Sequence, residues 1–354
     1  MLVFDETENV STTQAELIVN TVNTVGVMGA GVARAVRERF PEVMGPYQEK
    51  CRTRELYPGG VQALKIPNGP TIVNLASKEH FKDPSKPDWV GLGLVNLNRL
   101  LALPRFSSVR TVCLPPPGAG LGGLSPEVVQ RMIRSYLAGP RARDVRITVS
   151  ARERPITARA PIYAGVGSRE TPEETRRVMT ETAARLAGMG WALRSGNAIG
   201  ADLAFERGAP VSQQESYLPW PKDGVPHGIV NITPEHERLM RSVYRSPHGE
   251  PWNPGMKRAT TLLMTRNGNQ VFGQDFTEPS DVVICWTPGG EDKGGTRQAI
   301  ALARLVSIPI LNLGLPEWEG ATADQVVEEA SRLVAERRAA IGVPLPQAEP
   351  SPSP

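Results

Sequence analysis

The chain has 354 residues, 40% of them hydrophobic and 22% charged, a composition that excludes full-length disorder. Forty Lys and Arg against 37 Asp and Glu leave a formal charge of +3, too small to imply nucleic-acid binding by itself. At roughly 150 residues per domain, the length predicts about two domains plus extensions.

No apolar run approaches the roughly 18 residues of a membrane-spanning helix, since Leu92 to Leu103 is broken by Gly, Asn and Arg. Asp5, Glu6 and Glu8 stand where a signal peptide would carry basic and then apolar residues. Cys51, Cys113 and Cys285 are odd in number, and neither they nor His80, His227, His236 and His248 show metal spacing. No disulfide framework, metal or cofactor is expected, a reducing cytoplasm is the default location, and no membrane partner is implied. Gly (34) and Pro (33) are plentiful beside 5% aromatic residues, which predicts tight turns and close backbone approaches.

In chain order, Leu17 to Asn20 reads as a short buried strand, followed by a glycine-rich turn and a helix from Val32 to Phe40 that stops at Pro41. Thr71 to Ala76 and Val109 to Leu114 are further buried strands, Trp89 to Leu103 and Ser125 to Leu137 are helices, and Val145 to Val149 is a closing strand. Strands alternating with helices predict a largely parallel sheet over residues 1–150. Residues 151–160 are polar, basic and aperiodic, and read as a linker.

A second α/β unit, residues 161–316, opens with the strand Ile162 to Val166. Thr171 as N-cap, Pro172 at the first helical position and Glu174 form a capping-box pattern, with Gly188 and Gly190 marking the helix end. Trp191 to Leu193, Asp281 to Trp286 and Ile308 to Leu313 are strands, with a helix from Arg297 to Leu305. Residues 210–270 give no clear pattern. A helix lies within 317–342, and 343–354 reads as a disordered tail. The fold expected is α/β, as two three-layer α/β/α units.

Two glycine loops stand out in the first unit. Asn20 and Asn23 sit at a strand's carboxyl end, just before Gly26, Val27, Met28, Gly29 and Gly31. Gly118, Ala119, Gly120, Leu121 and Gly122 follow another strand and precede a helix. In open α/β sheets that edge binds ligands, and helix N-termini favour phosphate. Each loop alone fits equally well a turn that needs positive φ. Together they predict a cleft of backbone N–H groups suited to a diphosphate. Lys78 follows the strand between them, where a lysine is an anion contact, a nucleophile or a solvated surface group.

These residues resemble the macrodomain family of ADP-ribose-binding folds, in particular the antitoxin branch that removes ADP-ribose from thymidine in DNA. The resemblance rests on Asn20 to Asn23, Gly26 to Gly29, Ser77 to Lys82 and Gly118 to Gly123. It implies Lys78 as the catalytic lysine and Asn23 as the distal-ribose contact. Asn20, Val27, Met28, Gly29, Gly31, Ser85, Gly118, Ala119, Gly120, Leu121 and Gly122 are the implied ligand-binding residues. Ser77, Phe81 and Lys82 depart from the Thr, Trp and Arg of the branch, which bears on substrate choice. Glu8 and Asn9 stand where the family has Gly-Asp, which bears on adenine recognition.

In the second unit, Gly167, Ser168 and Arg169 follow a strand, and Ser195, Gly196 and Asp202 repeat the pattern. Gly294, Gly295 and Thr296 form a third loop before a helix. Each fits an ordinary turn, but three in order resemble the SLOG superfamily of Rossmann-like nucleotide-binding proteins, which includes DprA and the lysine-decarboxylase-like phosphoribohydrolases. The resemblance implies a nucleotide-like ligand at these nine residues and a possible homodimer through this unit. The glutamate that does acid/base work in the phosphoribohydrolases falls on Ala299 beside Gln298, so binding without catalysis is expected there. Asp202 is expected to orient its loop and Glu206 to be solvated.

Combined, these readings predict an ADP-ribosyl hydrolase coupled to a nucleotide-sensing unit, suited to toxin neutralisation or phage–host conflict. The alternative is a protein that binds ADP-ribose derivatives without turnover. Nucleic-acid binding through the second unit is disfavoured, as stacking aromatics and a basic stripe are lacking.

Overall fold

The computed structural model describes residues 1–138, 144–244, 252–292 and 294–346. His248, Lys293 and positions 347–354 of the expected tail lie outside the described residues.

The first sheet contains β1 (Leu2–Phe4), β2 (Leu17–Val22), β3 (Val61–Lys65), β4 (Thr71–Ala76), β5 (Thr111–Leu114) and β6 (Arg146–Val149), in the order β1-β6-β5-β2-β4-β3. All pairings are parallel except that of the edge strand β3 with β4. β2 is flanked by strands that come later in the chain on both sides, so the order reverses there. The crevice at its carboxyl end is where such sheets bind ligands. Around this sheet lie α1 (Gly31–Arg39), α2 (Met44–Arg52), α3 (Pro87–Leu101) and α4 (Pro126–Tyr136).

The second sheet holds β7 (Ile162–Gly167), β8 (Ala192–Ser195), β9 (Gln214–Ser216), β10 (Val282–Trp286) and β11 (Ile310–Asn312), in the order β11-β10-β7-β8-β9 and parallel throughout. Its reversal point is β7. The accompanying helices are α5 (Glu173–Gly188), α6 (Ala201–Gly208), α7 (Pro234–Val243), α8 (Arg258–Phe272), α9 (Thr296–Leu305) and α10 (Ala323–Ile341). Most expected strands and helices therefore form within a residue or two of where the pattern puts them.

The differences have local causes. α5 starts at Glu173 with Pro172 as its cap residue, because the Thr171 hydroxyl donates back to the Ser168 carbonyl at 2.7 Å and does not cap the helix. Glu206 is not solvated: it accepts from the Asn197 backbone at 2.9 Å and from the Asn197 side chain at 2.6 Å. That clamp holds Asn197 in its left-handed conformation, φ 51°. α7, α8 and β9 occupy the stretch where no pattern was read.

One hydrophobic core runs through both sheets and joins α3 and α4 to α7, α8 and α9. α3 is apolar on nearly every face, as expected for a helix enclosed on all sides. Gly91 lets it approach the second sheet's layer: a Cβ there would stand 2.5 Å from the Cβ of Phe276. Asn98 donates to the Leu305 carbonyl at 2.7 Å, Arg99 donates to both oxygens of Ser242, and the Tyr136 hydroxyl donates to the Phe276 carbonyl at 2.8 Å. The segment after β6 has no regular structure but is pinned. Gln130 exchanges hydrogen bonds with the Arg154 backbone, and Arg159 pairs with buried Asp281, which Arg338 also grips through two nitrogens.

Candidate functional site

The carboxyl ends of β2, β4 and β5 frame a cleft of about 650 Å³. Its floor is the chain leaving β2. The Asn23 side chain folds that chain into a loop: its Oδ1 accepts from the Val25 and Val27 amides at 3.1 and 3.2 Å, and its Nδ2 donates to the Val27 carbonyl at 2.6 Å. The Tyr47 hydroxyl holds Asn23 from behind, donating to its carbonyl at 2.8 Å. One N–H of the Asn23 amide remains for a ligand in the cleft.

Lys78 is set between two backbone bonds that join its loop to this one, Ser77 N–H to the Val22 carbonyl and Thr24 N–H to the Glu79 carbonyl, each 3.0 Å. Its ammonium reaches across the cleft and donates to the Leu121 carbonyl at 2.5 Å.

The opposite wall is the loop of Gly118 to Gly122. Gly118 has φ +79°, and a Cβ on it would stand 2.7 Å from Leu124 and 2.8 Å from Val90, so both conformation and space demand glycine. Ser85 donates its backbone N–H to the Gly122 carbonyl at 2.9 Å, and its buried hydroxyl has no partner. Ser85 nonetheless belongs to the lining of the cavity. Exposed Val27, Phe81 and Leu121 form an apolar rim.

Of the residues expected here, Asn23, Val27, Gly29, Gly31, Lys78, Ser85, Gly118, Ala119, Gly120, Leu121 and Gly122 line one cavity. Asn20 and Met28 do not, and this corrects the expectation. Asn20 is fully buried, donating to Asn74 Oδ1 at 2.8 Å and lying 3.7 Å from Met28 Sδ; Asn74 in turn donates to Gln62 at 3.0 Å. Asn20 lies within the strand, one sheet position in from the end, where its amide is spent on Asn74 and Met28 and does not reach the cavity lining. Both residues brace the strand end.

A second cleft of about 510 Å³ opens at the carboxyl end of β7. Gly167, Ser168, Arg169, Asp202, Gly294, Gly295 and Thr296 line it. Ser195 and Gly196 do not: the Ser195 side chain is buried, with its hydroxyl 3.4 Å from the Asp202 carbonyl, and Gly196 lies under the guanidinium of Arg266. The residues missed are Arg266, Asn267 and Gln270 of α8. Asp202 accepts from the Gly167 amide at 3.2 Å and from Gln270 at 3.3 Å, and lies 3.5 Å from Arg266. Burial pushes the Asp202 carboxyl up to about 6 and lowers Arg266, so pairing at that distance compensates neither charge. Ala299 lines the cleft and Gln298 is turned away, donating to the Met240 carbonyl at 3.2 Å. Among the described residues no group of His, Cys, Asp and Glu could hold a metal ion, and no helix is long and apolar enough to cross a membrane.

No family model matches the chain. Among characterised proteins it is similar to the "DNA ADP-ribosyl glycohydrolase" of Mycobacterium tuberculosis, 37% identical over 125 residues, which is 34% of this chain and 35% of that one. The protein of the same name from Thermus aquaticus is 40% identical over 123 residues, 33% of each chain. A solved structure, "Macrodomain of Mycobacterium tuberculosis DarG", is 31% identical, covers 43% of this chain and 99% of its own, and has a TM-score of 0.39. The chain thus spans about a third of the length of the curated relatives it matches, and the likeness lies in its amino-terminal part.

Proposed function

We propose that the chain is an ADP-ribosyl hydrolase that releases ADP-ribose from a nucleobase, thymidine in DNA being the acceptor implied by the macrodomain resemblance, or from a related acceptor. Residues 1–150 act as the hydrolytic unit. The second cleft, in a SLOG-like unit over residues 161–316, holds a nucleotide-like ligand and senses it. A role in neutralising a DNA-modifying toxin, including during phage attack, suits this pairing.

The observation that carries the reading is the direction of one amine: Lys78 points into a cleft whose facing wall is a run of glycine backbone. A diphosphate on that wall places the distal ribose near the ammonium. Lys78 then attacks, or electrostatically assists departure at, the anomeric carbon, while the free Asn23 N–H steadies a ribose hydroxyl. In the first case the neutral amine forms a bond to that carbon as the base leaves with the bonding electron pair and takes up a proton, and water then displaces the amine; in the second the ammonium stays unbonded and water adds directly, and either way free ADP-ribose results. The similarity of the amino-terminal part to proteins named DNA ADP-ribosyl glycohydrolase supports the same chemistry here.

The test is incubation with an ADP-ribosylated thymidine oligonucleotide, following released ADP-ribose. Lys78→Ala is expected to lose turnover by about a hundredfold or more while binding ADP-ribose nearly as the parent does. Equal release by the variant removes the mechanism.

The second reading, a protein that sequesters ADP-ribose derivatives without turnover, is favoured by one detail: Lys78 and the Asn23 side chain both have partners within the protein. Binding by the parent with no release would establish it.

A further inference from the structure

A separate pocket, of about 370 Å³, opens on the other face of the second sheet, where β10 and β11 end. Strand alternation divides it from the second cleft. Val283 and Cys285 belong to the core that holds α7, α8 and α9, whereas Ile284 and Leu313 face α5 and α10. Trp286 continues that second set and lines the pocket, together with Trp318. No lining residue is shared with either cleft.

The walls are fixed before any ligand arrives. Buried Asn312 joins the two strand exits: its Oδ1 accepts from the Thr287 and Gly314 amides at 3.2 and 3.1 Å, and its Nδ2 donates to the Thr287 hydroxyl at 2.7 Å. Gly314 permits this approach, since a Cβ there would collide with the Thr287 carbonyl oxygen. The chain then turns, with the Trp318 amide on the Leu315 carbonyl at 3.0 Å and the Ala321 amide on the Trp318 carbonyl at 3.2 Å. The Thr322 capping box of α10 anchors its far end. Trp318 is half-buried against the core under α5 and α10, so its indole is held in place.

The charge on this lining has one sign. Glu174 and Glu319 belong to it, and no Lys or Arg does. Glu174 stands in the first turn of α5, where the helix start favours a carboxylate. Arg176 and Arg177, next along α5, are not on the lining, and Arg176 pairs with Glu173. Among the described residues no ion pair reaches Glu174 or Glu319. Indole faces attract a cation through their quadrupole, most strongly when the cation sheds water easily, and unpaired carboxylates attract it through charge. The same sign repels a phosphate.

We propose that this pocket binds a small organic cation, a quaternary ammonium or a pyridinium, with Trp286 and Trp318 as walls and Glu174 and Glu319 as counter-charges. Such ions carry their charge under an apolar skin, which suits indole walls, and the volume lies at the small end of ligand pockets.

The test is calorimetric titration of the full chain with two cations, each against a neutral counterpart. Choline is set against the analogue in which a tert-butyl group replaces the trimethylammonium, and nicotinamide methylated on its ring nitrogen against nicotinamide itself. Each cation is expected to bind about tenfold or more tightly than its counterpart, and less tightly as salt rises. Trp318→Leu keeps an apolar wall without an indole and should weaken the cations about tenfold. Glu174→Gln combined with Glu319→Gln should do the same while keeping shape, and a parent-like melting temperature shows that this variant is folded. Tighter choline identifies a saturated ammonium and tighter methylated nicotinamide a flat pyridinium; both support the assignment. Neutral counterparts that match the cations, a glutamine variant that binds as the parent does, or no binding by any probe overturns it. None of these results bears on the two clefts.

Discussion

The Lys78 ammonium and the Leu121 carbonyl, 2.5 Å apart, tie the loop after β4 to the glycine loop after β5 across the mouth of the first cleft. An anion that draws the ammonium away releases the glycine loop at the moment it is occupied. A charge-assisted bond of this kind contributes about 1.5–3 kcal/mol where it is shielded from water, and less at this half-exposed position. Lys78→Met should therefore raise amide exchange over residues 118–123 of the ligand-free protein by up to about tenfold, measured by hydrogen–deuterium exchange. Identical exchange in variant and parent would show that the contact does not restrain the loop.

Gly118→Ala tests the opposite wall. The new Cβ meets Leu124 and Val90 at a backbone angle that alanine rarely adopts. The expected cost is about 1–3 kcal/mol of stability, with ADP-ribose affinity falling by at least about tenfold, read by chemical unfolding and by titration. Full affinity would mean that this loop is not the diphosphate wall.

The helix shared by the two sheets gives a contest of magnitudes. Gly91→Ala gains about 1 kcal/mol of helix propensity but drives a methyl into Phe276, which costs about 1–3 kcal/mol. The clash is with the Phe276 Cβ at 2.5 Å and its carbonyl oxygen at 2.9 Å, neither a flexible tip, so the loss should win. A lower urea midpoint is the expected result, and a higher one would show that the layers separate easily.

Asp281 sits fully inside with two arginines on its oxygens. Burial opposes its charge, yet Arg159 and Arg338 hold it below the usual carboxylate range. Asp281→Ala strands the buried Arg338 and leaves half-buried Arg159 with Glu278 alone, and should cost about 3–5 kcal/mol, seen as a large drop in melting temperature. A drop no greater than that of a surface substitution would refute the assignment.

Asp202 carries a pH signature of the opposite sign. Its folded value of about 6 lies above the ordinary 3.8, so the folded protein holds this proton to higher pH than the unfolded chain does. The stability it contributes is complete below about 3.8 and is lost as pH rises through about 6, a span of about 3 kcal/mol. Asp202→Asn has nothing to titrate there. The parent-minus-variant unfolding free energy should fall between pH 4 and pH 7, and a flat difference would exclude the shift.

The sequence was most legible where period and punctuation agree. β4 runs from Thr71 to Ala76 as its apolar run predicts, and α1 stops at Arg39, before Pro41. α8 was invisible because six of its fifteen residues are Thr, Asn or Gly, of poor helix propensity and held in place by tertiary packing. With it went Arg266, whose guanidinium packs on Gly196 from seventy positions away. α2 was hidden by Gly45 and Pro46, tolerated because both lie in its first turn. At the first cleft the motifs identified the wall and the amine, yet motif membership could not separate Asn23 and Val27, which line the cavity, from Asn20 and Met28, which face inward.

Because α3 closes the interior of both sheets, severing the chain near residue 155 would not yield two independent pieces. The face bearing Gly91 and Asn98 would meet water, and Phe276 and the Leu305 carbonyl would lose their cover. Each fragment would be expected to clump or recruit a substitute surface. The two cavities thus sit on sheets that share one apolar interior.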